Sequence, residues 1–220
     1  MKNLLIIVFL TASFAANAQQ FRYGFYVSPV KNTWVLNAED YEAFGPTSGF
    51  QYGILLDQTI GNKQRFAITT GITLDYTQGG MQTINVSQSA SEKNWMVRAQ
   101  YLELPLALKV RTNQLGSFTF YLQGGGTIAK CLRARGDYTE NGLTLDSDIN
   151  YLENELTTNM YLPINMSVDI GIGTEFAINE TASILVGLYF KNGLTDIYED
   201  NNTKSDILLQ QCGVQIGGLF

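Results

Sequence analysis

No histidine occurs anywhere in the sequence. Ser-His-Asp hydrolysis and histidine-assisted acyl transfer both use an imidazole base, so neither is open to this chain. Zinc is disfavoured too, because the two cysteines, Cys131 and Cys212, are widely separated and cannot supply the ordinary ligand set. Proline is scarce, and no apolar run reaches the roughly 20 residues that a membrane-spanning helix needs. Basic clusters are lacking as well. The formal charge is −6, which argues against a nucleic-acid partner. Neither an enzymatic activity nor a cofactor is expected.

The first residues read as a secretory signal. Lys2 supplies the positive start, Leu4 to Leu10 the apolar core, and Ala16-Asn17-Ala18 an A-x-A cleavage site before Gln19. A cleaved signal is therefore expected over 1–18, with one domain over 19–220. Hydrophobic residues make up 45% of the chain, and Gly, Tyr and Phe are plentiful, a mix that suits a long-stranded all-β protein.

Period-two alternation carries the fold, because it places every second side chain on one face of a strand. It is clearest in Tyr101–Val110, where Leu102, Leu104, Leu106, Leu108 and Val110 alternate with Tyr101, Glu103, Pro105, Ala107 and Lys109. Seven further segments alternate in the same way: 21–30, 49–57, 66–77, 118–129, 162–176, 182–191 and the last ten residues. Each reaches or approaches the roughly 9–11 residues that cross a bilayer when tilted. The connections near 31–48, 78–95, 130–160 and 192–206 are long, whereas those near 58–65, 111–117 and 178–181 are short. The pattern predicts an all-β, eight-stranded antiparallel up-and-down transmembrane β-barrel, with long loops outside and tight turns in the periplasm.

A soluble eight-stranded barrel or a secreted β-sandwich would also alternate, with the apolar face turned inward. Volume separates the cases. The polar faces carry many glycines and small residues that fit a crowded lumen, while the apolar faces carry bulky Leu, Ile, Phe and Tyr suited to lipid. The reading is therefore a barrel of a Gram-negative outer membrane.

That parity turns Arg22, Asp57, Asp75, Glu103, Lys109, Asp169, Glu175 and Lys191 into the lumen. They are expected to form either an ion or proton path or an internal salt-bridge network that fills a narrow barrel, since buried charges must be paired. Fourteen of the 20 Asp and Glu fall in the four long connections, which makes those loops acidic. The run Asp146-Ser147-Asp148-Ile149-Asn150 starts like a calcium loop but has Tyr151 at the sixth position and Thr157 at the twelfth. Trp34, Tyr41, Tyr76, Trp95 and Tyr161 are expected in an outer aromatic band, and Tyr23, Phe66, Phe118, Phe176 and Phe220 in an inner one. Cys131 falls on the inward parity and Cys212 on the outward parity of a non-neighbouring strand, so no disulfide is expected.

The stretch Tyr101-Leu102-Glu103-Leu104-Pro105-Leu106-Ala107-Leu108-Lys109 resembles the "YLEIPL-x-LK" strand of the PorT-like outer-membrane β-barrel family of Bacteroidota. A turn and a Gly-rich strand, Phe120-Tyr121-Leu122-Gln123-Gly124-Gly125-Gly126, follow it as in that family. The resemblance implies an outer-membrane barrel of about eight strands, and its founding member is associated with protein secretion through the type IX system. The C-terminus partly fits the signal read by barrel-assembly machinery. Gln211, Gly213, Ile216 and the terminal Phe220 match, while Gly218 stands where a hydrophobic residue is usual. The expected partners are outer-membrane lipid and lipopolysaccharide, the barrel-assembly machinery, and secretion-system or surface components. Three roles remain open at this point: a non-enzymatic structural, surface-binding or export-associated barrel; a narrow pore for small solutes or ions; and a soluble lipid carrier.

Overall fold

The computed structural model describes residues 21–37, 41–61, 65–83, 92–152, 159–161, 163–200 and 206–220. The expected signal over 1–18, Thr157, Leu162 and the side chain of Tyr161 lie outside the described residues. Among the described residues twelve strands follow one another: β1 (Phe21–Asn37), β2 (Tyr41–Ala43), β3 (Thr47–Ile60), β4 (Phe66–Thr83), β5 (Lys93–Arg111), β6 (Phe118–Glu140), β7 (Leu143–Asn150), β8 (Asn159–Tyr161), β9 (Ile164–Ala177), β10 (Ser183–Gly193), β11 (Tyr198–Asp200) and β12 (Asp206–Leu219).

Eight of them are the staves of a closed antiparallel barrel, in the order β1-β3-β4-β5-β6-β9-β10-β12. Consecutive staves pair with their neighbours, and the first meets the last, with Gly24 opposite Leu219 and Asn37 opposite Asp206. Tyr23 and Phe220 exchange both backbone hydrogen bonds, at 3.0 and 2.7 Å, and so pin the seam at its lower end. Closure gives every stave a paired neighbour on both sides, which is what allows strands to cross lipid.

The alternation explains which way each stave faces. Leu104, Leu106, Leu108, Ile170, Ile172 and Leu188 are exposed on the outer wall, and Asp57, Asp75, Lys109 and Gln211 are buried within. An apolar exterior around a charged lumen is the reverse of a lipid-carrying soluble barrel. Pro105 sits inside β5, where it lacks a ladder donor. The β4–β5 pairing skips Pro105 and Leu104, and the Thr70 hydroxyl instead donates to the Pro105 carbonyl at 2.8 Å.

The short-turn end is tightly tied. Gly61 and Gly116 take the positive φ that their turns require. In the third turn the Asn179 side chain accepts from the backbone N–H groups of Thr181 and Ala182. By the general rule for these barrels, this end faces the periplasm.

The other end departs from expectation. The connections expected to be loops near 31–48, 78–95 and 130–160 are in large part continuations of the staves. β6 runs for 23 residues, roughly 75 Å along the strand, whereas β10 has only 11. The wall is therefore much taller on one side. β6 then turns at Asn141-Gly142, both with positive φ, and returns as β7. Asn-Gly is the favoured two-residue hairpin pair, so this return was signalled in the sequence.

Candidate functional site

Three layers of side chains occupy the lumen. Nearest the short-turn end lies an ion-paired cluster contributed by four staves. Lys109 and Arg111 come from consecutive inward positions of β5, so both reach toward Asp57 on β3 and Glu175 on β9. Lys109 Nζ lies 2.8 Å from Asp57 Oδ2 and 3.8 Å from Glu175 Oε1. Arg111 Nε donates to Glu175 Oε1 at 3.0 Å, and its other arm reaches Asp57. Arg22 on β1 bonds Glu175 Oε2 at 2.6 Å and the Ser183 hydroxyl at 2.7 Å. Thr69 donates to Asp57 Oδ1 at 2.7 Å, and Lys109 stands 5.0 Å over the ring of Tyr121.

Tyr121 fits there because its neighbours are small. A Cβ on Gly187 would overlap the Tyr121 hydroxyl. The glycines of β9 and β10 are thus space for an aromatic ring from β6.

The middle layer is polar. Lys191 on β10 bonds both oxygens of Glu103 on β5, at 2.7 and 2.8 Å. Asp169 lies cross-strand from Lys191 and accepts from Thr127 at 2.6 Å and Ser167 at 3.3 Å. Asp75 accepts from Gln211, which also donates to Asn32, while Gln51 links Gln211 to the Tyr189 hydroxyl.

The uppermost layer is apolar. Trp34, Val97, Tyr101, Tyr151, Ile207 and Leu209 belong to one buried cluster at the long-loop end. This corrects the expected position of Trp34, which is only 5% exposed and points into the lumen rather than joining an outer aromatic band. The physical reason is parity. The strand begun at Phe21 runs on to Asn37, and even-numbered residues of β1 face inward throughout. Tyr76 is exposed on the outer wall, as are Tyr23, Phe66, Phe118, Phe176 and Phe220 near the lower rim, whereas Tyr41 and Trp95 are half-buried and meet edge to face.

The eight ionisable residues read from parity therefore fall into two groups. Arg22, Asp57, Lys109 and Glu175 are joined below; Glu103 and Lys191 are paired in the middle, with Asp75 and Asp169 close beside them and held by further hydrogen bonds. Arg111, Gln51, Thr69 and Tyr189 complete the network and were not singled out. Arg111 carried a usable signal, because it continues the parity of Glu103 and Lys109 by two residues.

Within the family-like motif, Tyr101 and Glu103 face the lumen, Leu104 and Leu106 face out, and Leu102 is half-buried on the outward parity. Of the expected assembly signal, Gln211 is buried in the network, Ile216 is exposed, and Phe220 stacks near Phe25. Cys131 is buried, Cys212 is exposed, and both thiols are free. Asp148 is held by Arg135 and by its own N–H donating to Asp137. Among the described residues, no three carboxylates or thiols converge as a metal-ligand set.

Comparison with known proteins places this geometry. A family model described as "Outer membrane protein beta-barrel domain" matches residues 17–199. Among solved structures, the chain is similar to Ail, the attachment invasion locus protein of Yersinia pestis, at 9% identity over 91% of this chain and 99% of that one, TM-score 0.40. It is similar to OprG of Pseudomonas aeruginosa at 11% identity over 91% and 96%, TM-score 0.47. It is also similar to the outer membrane protease OmpT of Escherichia coli at 8% identity over 91% and 95%, TM-score 0.36. A search of curated proteins found no match.

Proposed function

Because the chain belongs to the outer membrane protein β-barrel domain family and resides in a Gram-negative outer membrane, we propose that it is a non-enzymatic, non-conducting barrel that works through its surface. The observation that carries this reading is the filling of the lumen. An apolar layer from Trp34 to Leu209 lies above the Glu103–Lys191 pair, which lies above the Asp57–Lys109–Arg111–Glu175 cluster. Ions entering such a lumen would have to displace buried salt bridges and cross a layer lined mainly by apolar side chains. The missing histidine supports the non-enzymatic half of the reading, since the familiar hydrolytic and acyl-transfer devices lack their base.

The surface available for work is the tall β5–β6 wall with its β7 return, where Leu143 and Leu145 are exposed. The Tyr101–Lys109 resemblance favours an export-associated, PorT-like role for it, with lipopolysaccharide and secretion components as its neighbours.

Planar-bilayer recording tests the first part. The folded chain should show no steady conductance, and a steady current altered by substituting Glu103 or Asp169 would establish the pore reading instead. Gene deletion tests the second. Loss of type IX cargo from the medium is expected, and normal secretion would remove the export role.

A further inference from the structure

We propose that the cavity at the short-turn mouth of the barrel binds a carboxylate or phosphate group, carried on a small polar molecule, through Arg22 and Arg111. The cavity is open to the periplasmic side and holds about 650 Å³. That is within the usual range for small-molecule sites. Apart from its charged groups, its lining is almost all hydroxyl and amide, including Asn113, Ser117, Thr119 and Ser183. Such a wall suits a hydroxylated or peptide-like body better than an apolar one.

The charges select the sign of the ligand. Arg22, Lys109 and Arg111 face only Asp57 and Glu175 in this cluster, so three cations share two carboxylates. Buried charge needs a partner, and the surplus is positive. Lys109 is sealed beneath, on Asp57. The two arginines instead line the cavity, and among the described residues no acceptor meets Nε of Arg22 or Nη1 of Arg111. A guanidinium with open N–H groups is suited to planar or tetrahedral oxyanions.

Arg111 is also nine-tenths buried and fixed by two carboxylates, so little ordering remains to be done when an anion arrives. Glu175 is occupied by all three cations and is not free to take a metal ion. Glu180 lines the same cavity, but from the exposed 178–181 turn, where water and salt screen it.

The proposal is independent of the surface role above, since a silent barrel could hold or lack this site. Its test uses the full chain folded in detergent micelles, with heat-dependent gel mobility as the folding control. Inorganic phosphate and acetyl-alanyl-alanine, with the amidated dipeptide as control, are titrated calorimetrically into wild type and Arg22→Gln. Saturable binding of phosphate points to a phosphorylated ligand, and saturable binding of the free acid to a peptide carboxylate. In either case the amide should not bind, and Arg22→Gln should weaken affinity about tenfold or more. Silence with both anions, equal binding of acid and amide, or unchanged affinity in folded Arg22→Gln would overturn the site. If the variant does not fold, wild type alone decides. At low millimolar concentration, acetyl-alanyl-alanine or phosphate should raise its urea midpoint saturably above that with the amidated dipeptide or chloride at equal ionic strength, and coincident midpoints with both anions would refute the proposal.

Discussion

Lys191 Nζ lies within 2.8 Å of both carboxylate oxygens of Glu103, from a strand three places around the barrel and 88 residues along the chain. The contact therefore spans the lumen rather than joining neighbouring strands. Both side chains are almost fully buried, so each depends on the other.

Removing one partner should expose that dependence. Glu103→Gln leaves the Lys191 ammonium with Asp75 and its cross-strand neighbour Asp169 but without its hydrogen-bonded partner, and should cost about 3 kcal/mol. The double variant Glu103→Gln with Lys191→Met should recover most of the loss. Urea unfolding in detergent measures both, and equal midpoints for the single variant and wild type would show that the pair contributes little.

Space around Tyr121 gives a second coupling. Gly187→Ala drives a methyl into the Tyr121 hydroxyl and should cost about 1–3 kcal/mol. In a Tyr121→Phe background the overlap is relieved, so the same substitution should cost distinctly less. Additive losses in the double-mutant cycle would contradict the packing described for this ring.

The outer wall should be sensitive to charge by depth. Leu106→Arg places a guanidinium in the lipid-facing middle of β5 and should lower folding stability by about 2–4 kcal/mol. Leu143→Arg, at the exposed start of β7, should change it by less than about 0.5 kcal/mol. Refolding titrations into lipid vesicles distinguish the two.

Trp34 provides an optical check on the upper layer. In a Trp95→Phe variant its emission should be blue-shifted and resist both iodide and bilayers of bromine-labelled lipid, because the indole packs inside the wall. Strong quenching by the labelled lipid would return Trp34 to the outer band that its neighbourhood first suggested.

These residues also mark how far the sequence could be read. Parity within a strand is local, and it carried the eight staves, their facing and the inward set from Arg22 to Lys191. Height along the barrel axis is different, because it depends on the register between strands distant in sequence. Trp34, Tyr101 and Ile207 form one layer only after β1, β5 and β12 are placed, and no single segment signals this. The stave lengths were underestimated for another reason. Above the bilayer the alternation weakens, and a register shift beside Gln100 and Tyr101 inserts Leu132 and reverses the parity of β6 beyond it. Arg111 was within reach, since it continues a face already identified. The mouth cavity was not, because its walls come from two separate turns and from stave ends distant in sequence.

Arg22 near the start of the first stave holds Glu175 near the end of β9, and Lys191 holds Glu103 across the opening. None of these partners is a sheet neighbour of the other, so an open, unrolled sheet cannot bring them together. The network can therefore form only in the closed barrel. A chain that zips its staves in the wrong register keeps unpaired charges in a nascent lumen, and only the sheet that curls shut with its first and last strands aligned can neutralise them.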